Sequence, residues 1–123
     1  MQFVIAIFLF LVYSYPVEAK VNAPLCMCSR SADSLTLVKL YNATNGASWS
    51  ITWKLNQPMT SWFGVSLDPA SGCVRSLLLG DNNLDGEIPV ELGQLMNLRY
   101  LSLYQNKLHF LIPSSIGNIP ALE

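Results

Sequence analysis

One histidine, His109, and a loose series of carboxylates, Asp81, Asp85, Glu87 and Glu91, are the side chains of this 123-residue sequence that acid–base chemistry would have to use. Such chemistry needs two groups held at opposed pKa values in one pocket. These carboxylates fall in turn-like stretches between apolar residues, where solvation is the default, and His109 occupies an irregular position among them. No Gly-rich phosphate loop, Gly-x-Ser-x-Gly elbow or kinase signature accompanies them. Three cysteines, Cys26, Cys28 and Cys73, with a lone histidine lack metal-ligand spacing, so no metal and no cofactor is expected. One motif does carry chemistry: Asn42-Ala43-Thr44 is an acceptor sequence for N-glycosylation.

The elements that would hold these residues begin after residue 19. The stretch "MQFVIAIFLFLVYSYPVEA" has an apolar run from Phe3 to Tyr13, followed by Val17 and Ala19 at A-x-A-like spacing, and reads as a secretory signal peptide over 1–19. The run is too short to cross roughly 30 Å of hydrocarbon. A membrane partner therefore enters only if a span lies beyond residue 123. Removing Glu18 with the signal leaves seven basic and seven acidic residues (8 − 1 = 7), a neutral chain. No basic stripe occurs, which argues against nucleic acid as a partner. Export implies an oxidising compartment, where disulfides persist. Cys26 and Cys28 are too close to pair with each other without strain, so one of them is expected to bond Cys73.

"SADSLTLVKLYNATNG" predicts a short amphipathic helix, capped by Ser31 or Asp33 and presenting Leu35, Leu37, Val38, Leu40 and Tyr41 on one face. Asn45-Gly46 stops it with residues that tolerate the left-handed conformation. The irregular stretch that follows holds all three tryptophans, Trp49, Trp53 and Trp62, which are expected to build a core of their own. Asp68-Pro69 and Ser71-Gly72 mark a turn between two strands, about 63–67 and 73–79.

From Val74 the sequence repeats. Val74–Asn97 laid over Leu98–Ala121 matches Arg75 with Arg99, Leu77 with Leu101, Leu79 with Leu103, Asn82 with Asn106, Leu84 with Leu108, Ile88 with Ile112, Pro89 with Pro113 and Gly93 with Gly117. Alternate leucines predict a strand with Leu77, Leu79, Leu101 and Leu103 pointing inward. Asn82 and Asn106 are expected to stack as a ladder, each amide bonding backbone N–H and C=O groups at the bend. Each coil can bury its apolar face only against a neighbour, so the phrase must repeat to be stable.

The run "LxLxxNxLxGxIPxELGxL" from Leu77 to Leu95 resembles the plant-type, 24-residue leucine-rich repeat, and the tryptophan-rich segment before it resembles the N-terminal cap of such proteins. The resemblance implies an α/β solenoid, a right-handed leucine-rich superhelix with an N-terminal helical cap: cap over 20–73, then two repeats and the start of a third over 74–123. Departures are Ser66, where the cap commonly has a cysteine, and Phe110-Leu111, which stand where the first repeat has Gly86-Glu87. Phe cannot take glycine's φ freely, so the second bend is expected to differ.

If the leucines point in, their neighbours face out onto the concave sheet: Arg75, Ser76, Leu78, Gly80 and Asp81, then Arg99, Tyr100, Ser102, Tyr104 and Gln105. Ser76, Leu78, Asp81, Tyr100, Ser102, Tyr104 and Gln105 are the candidate binding residues. The resemblance implies that this face binds a protein, peptide or glycan outside the cell or at its surface, with no catalysis. It points to the first part of a receptor-like protein, or else to a small secreted binder that inhibits cell-wall-degrading enzymes, or to an adhesion protein.

Overall fold

A computed structural model describes residues 30–123; the expectations for the signal segment and for Cys26 and Cys28 fall outside the described residues. Helix α1 spans Arg30–Ala43. Five short strands follow: β1 (Val65–Leu67), β2 (Val74–Leu78), β3 (Asp85–Gly86), β4 (Tyr100–Ser102) and β5 (Lys107–Leu108). Two 3-10 segments, Val90–Gln94 and Ser114–Asn118, sit at equivalent places in the two repeats.

α1 ends where the sequence allows it to end. The Thr44 N–H closes the last turn on the Leu40 carbonyl at 3.0 Å, and Asn45 then takes the left-handed conformation at φ 55°. Leu37 and Leu40 are fully buried, but Leu35 is 64% exposed, so the apolar face is narrower than its leucines suggest. The helix also starts earlier than its capping residues imply. Ser31 and Asp33 lie inside the first turn, and Asp33 is buried rather than capping. Its Oδ2 accepts the Val74 N–H at 2.8 Å, fixing the helix to the start of β2. Helix position was decided by that distant amide, which a local pattern does not contain.

The aromatic residues form the layer next to the helix. Trp53 and Trp62 stack with ring centroids 4.9 Å apart, and Trp49 meets Trp53 edge-on at 4.8 Å. Large rings bury much area in a segment with little regular structure. Each indole N–H still finds an acceptor: Thr44 for Trp49, Phe63 for Trp53, and both Lys54 and Gln57 for Trp62.

β1 and β2 form an antiparallel pair around the Asp68–Gly72 turn, and β4 joins β2 in parallel. Asp68 Oδ2 accepts the Ser71 N–H at 2.9 Å and the Ser71 hydroxyl at 2.8 Å, while Gly72 supplies φ 72°. Those bonds, with a smaller contribution from the Arg75 charge, hold the Asp68 carboxyl below the usual carboxylate range. Cys73, fully buried at the end of this turn, is disulfide-bonded.

The second repeat stacks on the first along its whole path. Arg99 N–H bonds the Arg75 carbonyl at 2.8 Å, Leu79 N–H the Ser102 carbonyl at 2.8 Å, and Lys107 N–H the Leu84 carbonyl at 2.7 Å. Leu77, Leu79, Leu84, Leu92, Leu95 and Leu98 are fully buried between the layers. Leu101 and Leu103 point the same way but remain half-buried, and Ile112 is 73% exposed where its equivalent Ile88 is half-buried. The cause is position: the first coil is covered on both sides and the second on one.

Asn82 and Asn106 repeat one hydrogen-bonding role. Asn82 is 1% exposed; its Oδ1 accepts the Ile51 N–H at 2.7 Å and its Nδ2 donates to the Ile51 carbonyl at 3.2 Å. Asn106 Oδ1 accepts the N–H of Asn82 at 3.1 Å and of Leu84 at 2.9 Å, and its Nδ2 donates to the Leu79 carbonyl at 2.8 Å. Each side chain thus reaches back to the backbone of the layer before it.

Two measurements follow. Asn82→Ala removes a buried side chain together with both of its bonds to the Ile51 backbone, a residue itself half exposed, and should lower stability by about 1–3 kcal/mol in urea denaturation, with the slope unchanged; an unaltered midpoint would remove the ladder from the account. Burial raises the Asp33 pKa, against the smaller opposing effect of the Val74 N–H. The folded state therefore binds this proton more tightly than the unfolded chain, so the contribution is full below about pH 3.9 and is lost as pH rises through the folded value. Relative to Asp33→Asn, the parent chain should lose stability as pH climbs from about 4 toward 7; parallel stability curves for the two proteins would refute this.

Candidate functional site

The outward side of β2 and β4 is built by register. Ser76 pairs with Tyr100 and Leu78 with Ser102, so these four residues share one face of the sheet. Ser66 of β1 lies across from Ser76 on its other side. Leu78, Tyr100 and Tyr104 are 48%, 43% and 64% exposed, an apolar and aromatic diagonal across two coils. Ser76 is a correction: it is 8% exposed, because its short side chain lies between Ser66 and Tyr100 in the middle strand. A ligand on this face would meet the residues around it. Ser102 is half-buried and Arg75 and Arg99 are exposed.

Tyr104 owes its position to Gly80. A β-carbon on Gly80 would stand 2.1 Å from Cε1 of the Tyr104 ring. The ring therefore covers the glycine backbone with one side and keeps the other in solvent. Sequence reading placed Gly80 and Tyr104 on one face as unrelated neighbours; their 24-residue separation, the repeat length, was the signal that they are stacked.

Asp81 and Gln105 are exposed but do not continue the strand. Both take left-handed backbone, φ 52° and 50°, at the bend after the sheet. Asp81 N–H bonds the Tyr104 carbonyl at 2.9 Å, so this bend is part of the coil stacking. These two residues border the sheet face rather than lie on it.

At the other end of the strands Arg75 and Arg99 line a polar hollow of about 270 Å³ with Asp68, Ser71 and Asn97. Glu123, the next residue in that column, bonds the Arg99 carbonyl through its N–H at 2.8 Å.

The residues considered for acid–base chemistry are dispersed. His109 Nε2 lies 3.7 Å from Asp85 Oδ1, with both side chains about half exposed. Glu91 instead meets Lys39 of α1 at 3.1 Å. Its own backbone N–H and then Lys39 hold its carboxyl below the usual range. Among the described residues no group of three or more His, Cys, Asp or Glu side chains is placed to hold a metal ion, and no helix is long and apolar enough to cross a membrane.

The second repeat departs at Phe110, Leu111 and Ile112, which are 76%, 91% and 73% exposed. They lie beyond β5 and line an apolar hollow of about 450 Å³ together with Leu101 of β4, Leu103 and Tyr104. Phe110 keeps a positive φ, 70°, but not the 143° of its equivalent Gly86.

Asn42, in the last turn of α1, is exposed, whereas Thr44 of the same triplet is fully buried.

Residues 73–95 and 97–119 each match the Leucine Rich Repeat family. The chain is similar to Receptor-like protein 50 of Arabidopsis thaliana, 38% identical over 73 residues, a stretch that is 58% of this chain and 8% of that protein. Among solved structures, it resembles PEPR1–AtPEP1 with a TM-score of 0.61 and 28% identity, over 74% of this chain and 13% of the other. It also resembles the BIR3–SERK2 complex from Arabidopsis thaliana, with a TM-score of 0.58 and 32% identity over 73% of this chain and 52% of the other. The chain thus spans less than a tenth of the length of that receptor-like relative. Two stacked coils with matching leucines and asparagines, found where the family matches, show that residues 73–119 are leucine-rich repeats, and the chain is similar to plant receptor-like proteins built from them.

Proposed function

We propose that this chain is the first part of an extracellular, receptor-like recognition module that binds a protein or peptide on the outward face of the β2–β4 sheet. Residues 20–73 serve as its N-terminal cap, with α1 and the tryptophan layer covering the first coil. The observation that carries the reading is the exposed diagonal of Leu78, Tyr100 and Tyr104 on a sheet fixed by hydrogen bonds on either side of β2. Tyrosine gives a large, stiff contact area with a polar tip, and such residues dominate interface energetics. The Tyr104 ring is already seated on Gly80, so little ordering is left to oppose binding.

The similar solved structures support a protein-like ligand, since one is PEPR1–AtPEP1 and the other is a BIR3–SERK2 complex. The reading is non-catalytic: the face offers shape and hydrogen bonds, and its side chains include no acid–base pair.

Peptides selected from a random display library against the full chain test this. Tyr104→Ala should weaken the selected binders by at least about 10-fold, equivalent to about 1.4 kcal/mol. Leu35→Ala, on the exposed side of α1, should leave them unchanged. Gly80→Val should act like Tyr104→Ala, because the added carbon displaces the ring while the melting temperature stays near that of the parent. Binders indifferent to Tyr100, Tyr104 and Gly80 would move recognition off this face.

A further inference from the structure

The glycosylation triplet is folded into a form that hides half of its recognition signal. Asn42 is exposed. Thr44 is 0% exposed, and both of its donors turn inward: the hydroxyl gives its hydrogen to the Leu40 carbonyl at 2.7 Å and the N–H to the same carbonyl at 3.0 Å. The Thr44 carbonyl is occupied as well, by the Trp49 indole at 2.8 Å and the Asp85 N–H at 3.1 Å. Thr44 is therefore the residue at which α1, the tryptophan layer and the first coil meet.

From the acceptor triplet and the exposure of Asn42 we infer that Asn42 is N-glycosylated, and from the burial of Thr44 that the sugar is added only before α1 and the first coil close on it. The transfer enzyme reads the hydroxyl two residues after the asparagine. In the folded chain that hydroxyl is buried and spent, and Asn42 is held in a helical turn. In the reaction the Asn42 Nδ2 bonds the anomeric carbon of a lipid-linked oligosaccharide. The anomeric bond to the pyrophosphate oxygen breaks, one amide proton is lost to a base, and the lipid pyrophosphate leaves. Asn42→Gln should be silent structurally, while Thr44→Ala removes both the signal and the fold's junction. Thr44→Ser preserves both. The end of α1 lies against Gly86 of β3, where an added β-carbon would lie 2.1 Å from the Ala43 carbonyl oxygen.

The inference rests on the secretory reading, and translation of the full chain with endoplasmic-reticulum microsomes separates the two. The expected result is a protease-protected chain carrying one glycan, removed by an N-glycanase, lost in Asn42→Gln and kept in Thr44→Ser; this is the only acceptor triplet in the sequence. Protection without the glycan would overturn the inference alone. Failure to enter the microsomes would overturn the secretory reading and the inference with it. For the timing, purified folded chain and a peptide of residues 40–46 are each given to solubilised transferase with the lipid-linked donor. The peptide should be modified and the folded chain should not; equal rates would overturn the ordering of modification before folding.

Discussion

The Asn82 side chain joins the part of the chain that does not repeat to the part that does. Its amide exchanges two hydrogen bonds with Ile51, accepting from the N–H at 2.7 Å and donating to the carbonyl at 3.2 Å. A backbone peptide group in a strand would do the same. Asparagine is short and carries both an acceptor and donors, so it can complete a ladder at a bend where the main chain has turned away. Asn106 then performs the role for Asn82 and Leu84. Buried backbone groups at every bend need a partner, and one residue per coil supplies it. The leucines fill the interior, but they would fit several registers; the asparagines select one.

The parts of the fold that were legible in the sequence are those imposed by the repeat. Leu77, Leu79, Leu84, Leu92 and Leu95 recur because each must meet its counterpart, and their burial follows from spacing. The illegible parts depend on contacts between distant residues. Asp33 has the look of a helix cap, yet it bonds an amide 41 residues away. Leu35 has the spacing of a core residue but lies beyond the edge of the packed face. Ser76 follows the strand alternation correctly and is buried all the same, because accessibility in a middle strand depends on the size of the neighbours on both sides. Alternation gives the direction of a side chain and leaves its exposure to those neighbours.

The candidate recognition face shows the same division. Periodicity put Tyr100, Ser102 and Tyr104 on one side of the sheet. What makes Tyr104 a platform is the missing side chain at Gly80, one coil earlier, and only stacking brings the two together. A binding residue held in place by an absence leaves no motif of its own. It is found by comparing the same position in successive coils, where a small residue in one makes room for a large residue in the next.

The bend at Gly86, which ends β3, and at Phe110, just beyond β5, shows how far that comparison can be taken. In the first coil Gly86 sits at φ 143°, and a β-carbon there would strike the Ala43 carbonyl oxygen at 2.1 Å. Glycine is required twice over, by backbone conformation and by the closeness of the layer before it. The second coil has Phe110 at φ 70°, the left-handed helical region, which an L-residue can enter at a cost of about 1–2 kcal/mol. The backbone interactions flanking the two bends are equivalent: Asp85 N–H bonds the Thr44 carbonyl at 3.1 Å, and His109 N–H bonds the Gly86 carbonyl at 3.1 Å. The same turn is therefore made by two backbone conformations. The repeat constrains where the chain must bend and which groups must be bonded there, and it leaves the residue at the bend free to vary wherever the preceding layer leaves space for a side chain.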